Sequence, residues 1–207
     1  MFQEMQVTTG GADPANATPG VQLNFVLRSG TSRWRGTSRY YFENDDLQSD
    51  NVSSDLFGQI ASYNRVGEYK DWGVEGGGPI VKDRIFAWGA YGKTEPALNV
   101  FSYDAATNDY QQIARDATFL ENISAKVTGE VTSKTRANFT YFRGNKQKFG
   151  RGASGFRPDE TTYNQDGPTD LFKFEVNQTL GSHLFIVGRY AHTKNGFSLE
   201  PRGGRDT

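Results

Sequence analysis

The chain of 207 residues contains no cysteine, which excludes disulfides, thiolate metal sites and thiol catalysis. Histidine is nearly missing as well. His183 and His192 are the only two, with no further His or Cys at ligand spacing, so no metal site of the zinc type is predicted. Apolar residues make up only 35% of the chain, against about 45–50% for globular domains when glycine is included. A thick aliphatic core is therefore not expected. No stretch approaches the roughly 18 apolar residues of a membrane helix; strongly apolar runs in the strand-like segments reach only four residues, as in Ile85-Phe86-Ala87-Trp88. The first residues lack a basic region followed by an apolar one, so no signal peptide is visible. A net charge of −1 gives no electrostatic reason to expect nucleic acid as a partner.

What the chain does have is glycine, at 24 residues, and aromatics, at 14%, including 15 Phe and 10 Tyr. This composition suits strands with one apolar and one polar face, and it argues against disorder. Seven segments read as long strands: Trp34–Glu43, Asp71–Gly77, Arg84–Thr94, Thr118–Thr128, Thr135–Gly144, Leu171–Leu180 and Leu184–Lys194. Most approach the 9–11 residues that a tilted strand needs to cross a bilayer. Period-two alternation runs through them. Phe172, Phe174 and Val176 oppose Lys173, Glu175 and Asn177; Ala137, Phe139 and Tyr141 oppose Arg136, Asn138 and Thr140; Phe86, Trp88 and Ala90 oppose Ala87, Gly89, Tyr91 and Lys93. Aromatics such as Trp34, Tyr40, Trp72, Tyr91, Tyr141 and Tyr190 gather toward strand ends, where the interfacial girdles of a membrane barrel lie.

The connections alternate in length. Those at 78–83, 129–134 and 181–183 are short, while those at 44–70, 95–117, 145–170 and after 194 are long and polar. Short periplasmic turns facing long external loops are the mark of an outer-membrane barrel. The fold class predicted is thus all-β: about seven antiparallel transmembrane strands of a larger barrel. Two shorter strands precede it at 2–9 and 21–28, and a domain boundary is placed near residue 30, giving units 1–30 and 31–207. The competing reading is a soluble β-sandwich acting as a binding or adhesion module, with loop aromatics on glycans. The two differ in where Phe86, Trp88, Phe139, Phe172 and Phe174 point: into lipid in a barrel, against a second sheet in a sandwich.

Two places resemble a known family. Gln6-Val7-Thr8-Thr9-Gly10-Gly11-Ala12-Asp13, with Pro19-Gly20-Val21-Gln22-Leu23-Asn24-Phe25-Val26 and Gly30-Thr31-Ser32-Arg33-Trp34-Arg35-Gly36, resembles the end of the plug domain and the entry to the barrel in TonB-dependent outer-membrane receptors. Gly76-Gly77-Gly78-Pro79-Ile80-Val81-Lys82-Asp83-Arg84-Ile85-Phe86 resembles the first periplasmic turn of their barrel. The Oar-like subgroup is the most similar. The resemblance spans about residues 1–95 and implies a bacterial outer-membrane receptor for energised uptake of a scarce solute of the siderophore, cobalamin, glycan or peptide class. Its partners would be outer-membrane lipid and the TonB complex. The TonB-contact box and most of the plug lie outside the sequence, and the chain ends in the polar run Arg202–Thr207, so a fragment cut at both ends is expected.

In a barrel, the polar faces would present Arg35, Arg39, Asp71, Glu75, Lys93, Lys126, Arg136, Lys173, Glu175 and Arg189 to the lumen, either positioning plug and solute or simply keeping the lumen wet. Loop aromatics Tyr63, Tyr69, Tyr103, Tyr110, Phe149, Phe156 and Tyr163 could stack on a ligand ring or pack the loops together. Catalysis is not expected. Gly76-Gly77-Gly78-Pro79 lacks the Lys-Ser/Thr of a phosphate loop, Gly152-Ala153-Ser154-Gly155 falls short of a nucleophile elbow, and Asp45, Asp46, Asp50 and Asn51 lack the calcium-loop spacing of an EF-hand. No cofactor is predicted.

Overall fold

The computed structural model describes residues 2–9, 20–49 and 51–204; Met1, residues 10–19, Asp50 and residues 205–207 lie outside the described residues. The described chain is all-β and antiparallel, with three short 3₁₀ turns and no α-helix. Strands β1 (Phe2–Thr8) and β2 (Gln22–Leu27) form a two-stranded sheet. The rest of the chain builds one large sheet from β3 (Arg35–Asn44), β4 (Ser62–Val81), β5 (Ile85–Asp104), β6 (Asp109–Thr132), β7 (Thr135–Arg151), β9 (Thr169–Leu180) and β10 (Leu184–Asn195). Its spatial order is β10-β9-β7-β6-β5-β4-β3. Short β8 (Tyr163–Asp166) attaches to β7 and to β11 (Ser198–Pro201). Every neighbour along the main path is antiparallel, and the sheet stays open, with β3 and β10 at its edges.

Tight turns at 82–84, 133–134 and 181–183 gather at one end. Asp83 adopts the left-handed conformation (φ 58°), which Asp tolerates better than most residues. Gly181 does the same at φ 64°.

At the opposite end the strands are far longer than the sequence suggests. β4, β5 and β6 run 20, 20 and 24 residues, about twice what a bilayer crossing requires. The region 95–117, read as a long polar loop, is a continuous β5–β6 hairpin whose turn occupies only 105–108, with Asn108 left-handed at φ 53°. Pro96 explains the misreading, since proline ordinarily ends a central strand. Here the β5–β6 ladder skips Glu95 and Pro96, and a bulge in β4 between Val66 and Glu68 sits alongside. The strand passes through by dropping the hydrogen bond that Pro cannot make. The connections at 45–61 and 152–162 remain true loops and fold back on this extension.

The buried residues follow the same division. Ala97, Val100, Tyr110, Ala114, Thr162 and Gln165 are buried in the extension and its loops; toward the tight turns only Trp88, Ser124 and Thr128 join them among the described side chains. One face of the sheet there carries exposed Phe139, Phe172 and Phe174. Among the described residues no second sheet covers that face, so the structure does not favour a sandwich.

Candidate functional site

Register assigns the faces, because directly opposed residues point the same way. One row runs Arg35, Gly77, Trp88, Lys126, Thr140, Lys173 and Ala191 across seven strands. The next toward the tight turns contains Phe86, Thr128, Asn138, Glu175 and Arg189. In the other direction lie Thr37, Glu75, Ala90, Ser124, Phe142 and Leu171, then Arg39, Gly73, Gly92 and Asn122. Arg35, Arg39, Asp71, Glu75, Lys126, Arg136, Lys173, Glu175 and Arg189 therefore share one face.

Lys93 does not. It opposes Trp72 on the other face and pairs with Glu95 at 2.7 Å. The alternation in β5 is real but its phase is the reverse of the one expected. Phe86 and Trp88 lie on the charged face, while Ala87, Gly89, Tyr91 and Lys93 lie on the apolar side. The cause is visible around Trp88, which is 8% exposed. Its ring sits beneath Arg28, at 5.8 Å from the guanidinium carbon, in the range of a cation–π contact. It also packs over Gly77, where any Cβ would strike the Trp88 ring. The linker that carries Arg28 hugs the sheet, and a Cβ on Gly30 would run into the Ala87 backbone. A large apolar side chain is stable on the charged face because the chain itself covers it.

The β1–β2 hairpin is seated on this face. Lys126 Nζ donates to the Leu27 carbonyl at 3.0 Å, and Arg28 pairs with Glu75 at 2.7 Å. Thr37 Oγ1 donates to the same Glu75 oxygen at 3.3 Å. Further along, Arg39 pairs with Asp71 at 2.7 Å, with Thr94 Oγ1 donating to the second carboxylate oxygen at 3.2 Å. Between hairpin and wall lies a cleft of about 750 Å³, lined by Asn24 to Leu27 and Ser29 on one side. The wall side comprises Lys126, Thr128, Arg136, Asn138, Thr140, Phe142, Leu171, Lys173 and Glu175. The contribution of residues 24–29 to this site escaped the sequence reading. Nothing local marks a backbone carbonyl as the partner of a lysine 99 positions away.

The opposite face reads as a lipid-facing surface. One row is Gly78, Ala87, Val127, Phe139, Phe174 and Tyr190; the next is Gly36, Gly76, Gly89, Ala125, Tyr141, Phe172 and His192. Trp72 and Tyr91 meet at 5.2 Å, and Tyr141 and Phe172 at 4.9 Å. Just beyond them come Lys93, Glu121, Arg143 and Asp170. Tyr91 donates to Glu121 at 2.7 Å, and Arg143 approaches Asp170 at 3.9 Å. Aromatics followed by charges mark the level where hydrocarbon gives way to headgroups.

The loop aromatics divide. Tyr63 stacks on Phe101 at 5.1 Å, and Tyr110 receives edge contacts from Phe57, Tyr63 and Tyr103 at 5.3, 4.9 and 5.5 Å. The Tyr110 hydroxyl donates to the Ile60 carbonyl at 2.6 Å. Tyr63, Tyr103 and Tyr110 thus form the core of the extension. Phe149 packs edge-on against Phe119 at 5.8 Å, and Tyr69 opposes Glu43 on the charged face. Tyr163 opens β8, opposite Arg151 and Pro201. Phe156, 79% exposed, is the one of the seven fully offered to solvent. The described residues contain no group of three or more His, Asp and Glu arranged to hold a metal ion.

Residues 26–101, from the end of β2 to the far part of β5, match the family of the outer membrane beta barrel domain. No curated protein and no solved structure matches the chain. The matched stretch contains the linker, the first tight turn and the whole of β3 and β4, the elements on which the two-faced wall is built. The chain's place is the bacterial outer membrane, which it crosses as strands of a β-barrel domain.

Proposed function

We propose that this wall belongs to a TonB-dependent receptor that takes up a scarce solute, and that the β1–β2 hairpin is the end of its plug, resting inside the barrel. The observation carrying this reading is the seat of the hairpin. A pore with an empty lumen would leave Lys126 and Glu75 to water, whereas here they bind Leu27 and Arg28 of the preceding segment. The resemblance of residues 6–13, 19–36 and 76–86 to plug end, barrel entry and first turn supports the same reading. In it, pulling on this end of the plug breaks the polar contacts made by Leu27 and Arg28. Such contacts exchange readily with water at a net cost of about 0.5–1.5 kcal/mol each, or about 1.5–3 where a charge is involved.

The test is photocrosslinking in cells between TonB and the protein as its host encodes it, combined with growth on limiting nutrient. Crosslinks to TonB and a growth defect shared by strains lacking either partner are expected. Correct assembly in the outer membrane with no TonB contact, and no shared defect, would overturn the proposal.

A further inference from the structure

Charge on the hairpin-bearing face is unevenly matched. Toward β3 and β4 two cations hold carboxylates, Arg28 on Glu75 and Arg39 on Asp71; Arg35 forms no ion pair among the described residues and lies outside the cleft. Toward β6, β7 and β9 the balance fails. Lys126, Arg136 and Lys173 line a single cleft in which Glu175 is the one carboxylate, and Glu175 is already engaged by Arg189 at 2.8 Å and by Asn177 at 3.2 Å. Lys126 spends one of its three donors on the Leu27 carbonyl. Among the described residues neither Arg136 nor Lys173 forms an ion pair.

Glu130 stands opposite Arg136 in the register but lines a neighbouring hollow, so three cations converge on a partly enclosed space whose own carboxylate, Glu175, is already engaged. The apolar side chains of Phe25, Leu27, Phe142 and Leu171 border it, which lowers the local dielectric and strengthens whatever the cations hold. Thr140 lies between Lys126 and Lys173 in the register and Asn138 beside Glu175, adding neutral donors at the same level. A cleft walled by one sign of charge concentrates ions of the other.

We propose that this cleft is a binding site for a multiply charged small anion carrying carboxylate or phosphate groups. Arg136 and Lys173 clamp the anion, and Lys126 is shared between it and the hairpin. Hairpin displacement would free that third cation and change the affinity, which couples the position of the hairpin to occupancy of the site. That the anion is cargo rests on the uptake reading above. The binding itself does not, and it is measured without TonB, so either claim can fail alone.

The experiment is isothermal titration calorimetry of the protein as its host encodes it, purified from the outer membrane in neutral-detergent micelles, with citrate and inorganic pyrophosphate as probes. Saturable binding of at least one probe is expected, weakening as salt is raised. Lys173→Gln and Arg136→Gln should each reduce affinity by about tenfold or more, the scale of one lost charge-assisted hydrogen bond. Arg39→Gln, on the same face but outside the cleft, should leave it unchanged. Circular dichroism checks that each variant retains its sheet. Preference for citrate identifies a carboxylate ligand, and preference for pyrophosphate a phosphate. The proposal is overturned by the absence of saturable binding to either probe, by wild-type affinity in both cleft variants, or by an equal loss in Arg39→Gln, which would mean diffuse attraction to the whole face.

Discussion

Strands β5 and β10 belong to one sheet yet live in different solvents. β5 has a neighbour on each side, two loops folded against its far end, and buried Ala97 and Val100 in its second half. β10 has one neighbour, and all twelve of its residues are exposed, among them Leu184, Phe185, Ile186, Val187 and Tyr190. The first buries its apolar groups within the protein, as a structure in water must. The second leaves them outward and its edge unpaired, an arrangement that is stable when lipid covers the face and a further strand covers the edge. The molecule is thus a membrane wall carrying a water-side projection, with the hydrophobic effect satisfied by protein in one part and by bilayer in the other.

Tyr110→Ala should have the largest effect on the difference between these two parts. It removes a buried ring with three aromatic neighbours and a hydroxyl bonded to Ile60, a loss of about 3–5 kcal/mol by analogy with large-to-small core substitutions. The damage should stay in the projection. Hydrogen exchange is expected to rise in 45–61 and 97–114 while β7 and β9 remain protected; uniform loss throughout the sheet would erase the distinction between the two regions.

Phe174→Arg probes the other part. A cation at the bilayer midplane costs about 2–4 kcal/mol, enough to prevent assembly, whereas Lys173→Arg one residue away should assemble normally. Fractionation of membranes bearing each variant reads the result, and equal assembly would contradict the assigned faces. Tyr110→Phe is the finest of the three. The hydroxyl's bond to the Ile60 carbonyl is lost, with its longer contact to Leu56, about 0.5–1.5 kcal/mol, seen as faster exchange confined to the loop at 45–61, with no change in membrane assembly. A change in assembly would show that projection and wall fold as one cooperative unit.

How far the sequence disclosed this architecture depended on contrast between the two faces of each strand. In β7 and β9, Phe139, Phe172 and Phe174 alternate with Asn138, Lys173 and Glu175, and the phase is unmistakable. In β5 both faces carry apolar groups, so periodicity is present without polarity, and only the hydrogen-bonded register shows that Trp88 joins Lys126 and Ala87 joins Val127. The projection was hidden for a different reason. Its strands are polar, interrupted by Pro96, and stabilised by a small aromatic cluster whose members lie as far apart as Phe57 and Tyr110. Most of the charged residues of the site were legible as a polar face. Their partners in the linker were not, because contacts such as Arg28 to Glu75 follow from the path of the chain and leave no local pattern.

The two faces of this sheet meet different surroundings, hydrocarbon on one side and a wet, hairpin-bearing interior on the other. A chain without cysteine lends itself to testing this by single-cysteine spin labelling in bilayers, reading oxygen and water-soluble nickel accessibility at 86–91 and 172–176. Lipid exposure is expected at 87, 89, 91, 172, 174 and 176. Contact with the aqueous reagent, or shielding by the hairpin, is predicted at 86, 88, 90, 173 and 175. Accessibility without a two-residue period, or with the lipid phase at 86, 88 and 90, would contradict it.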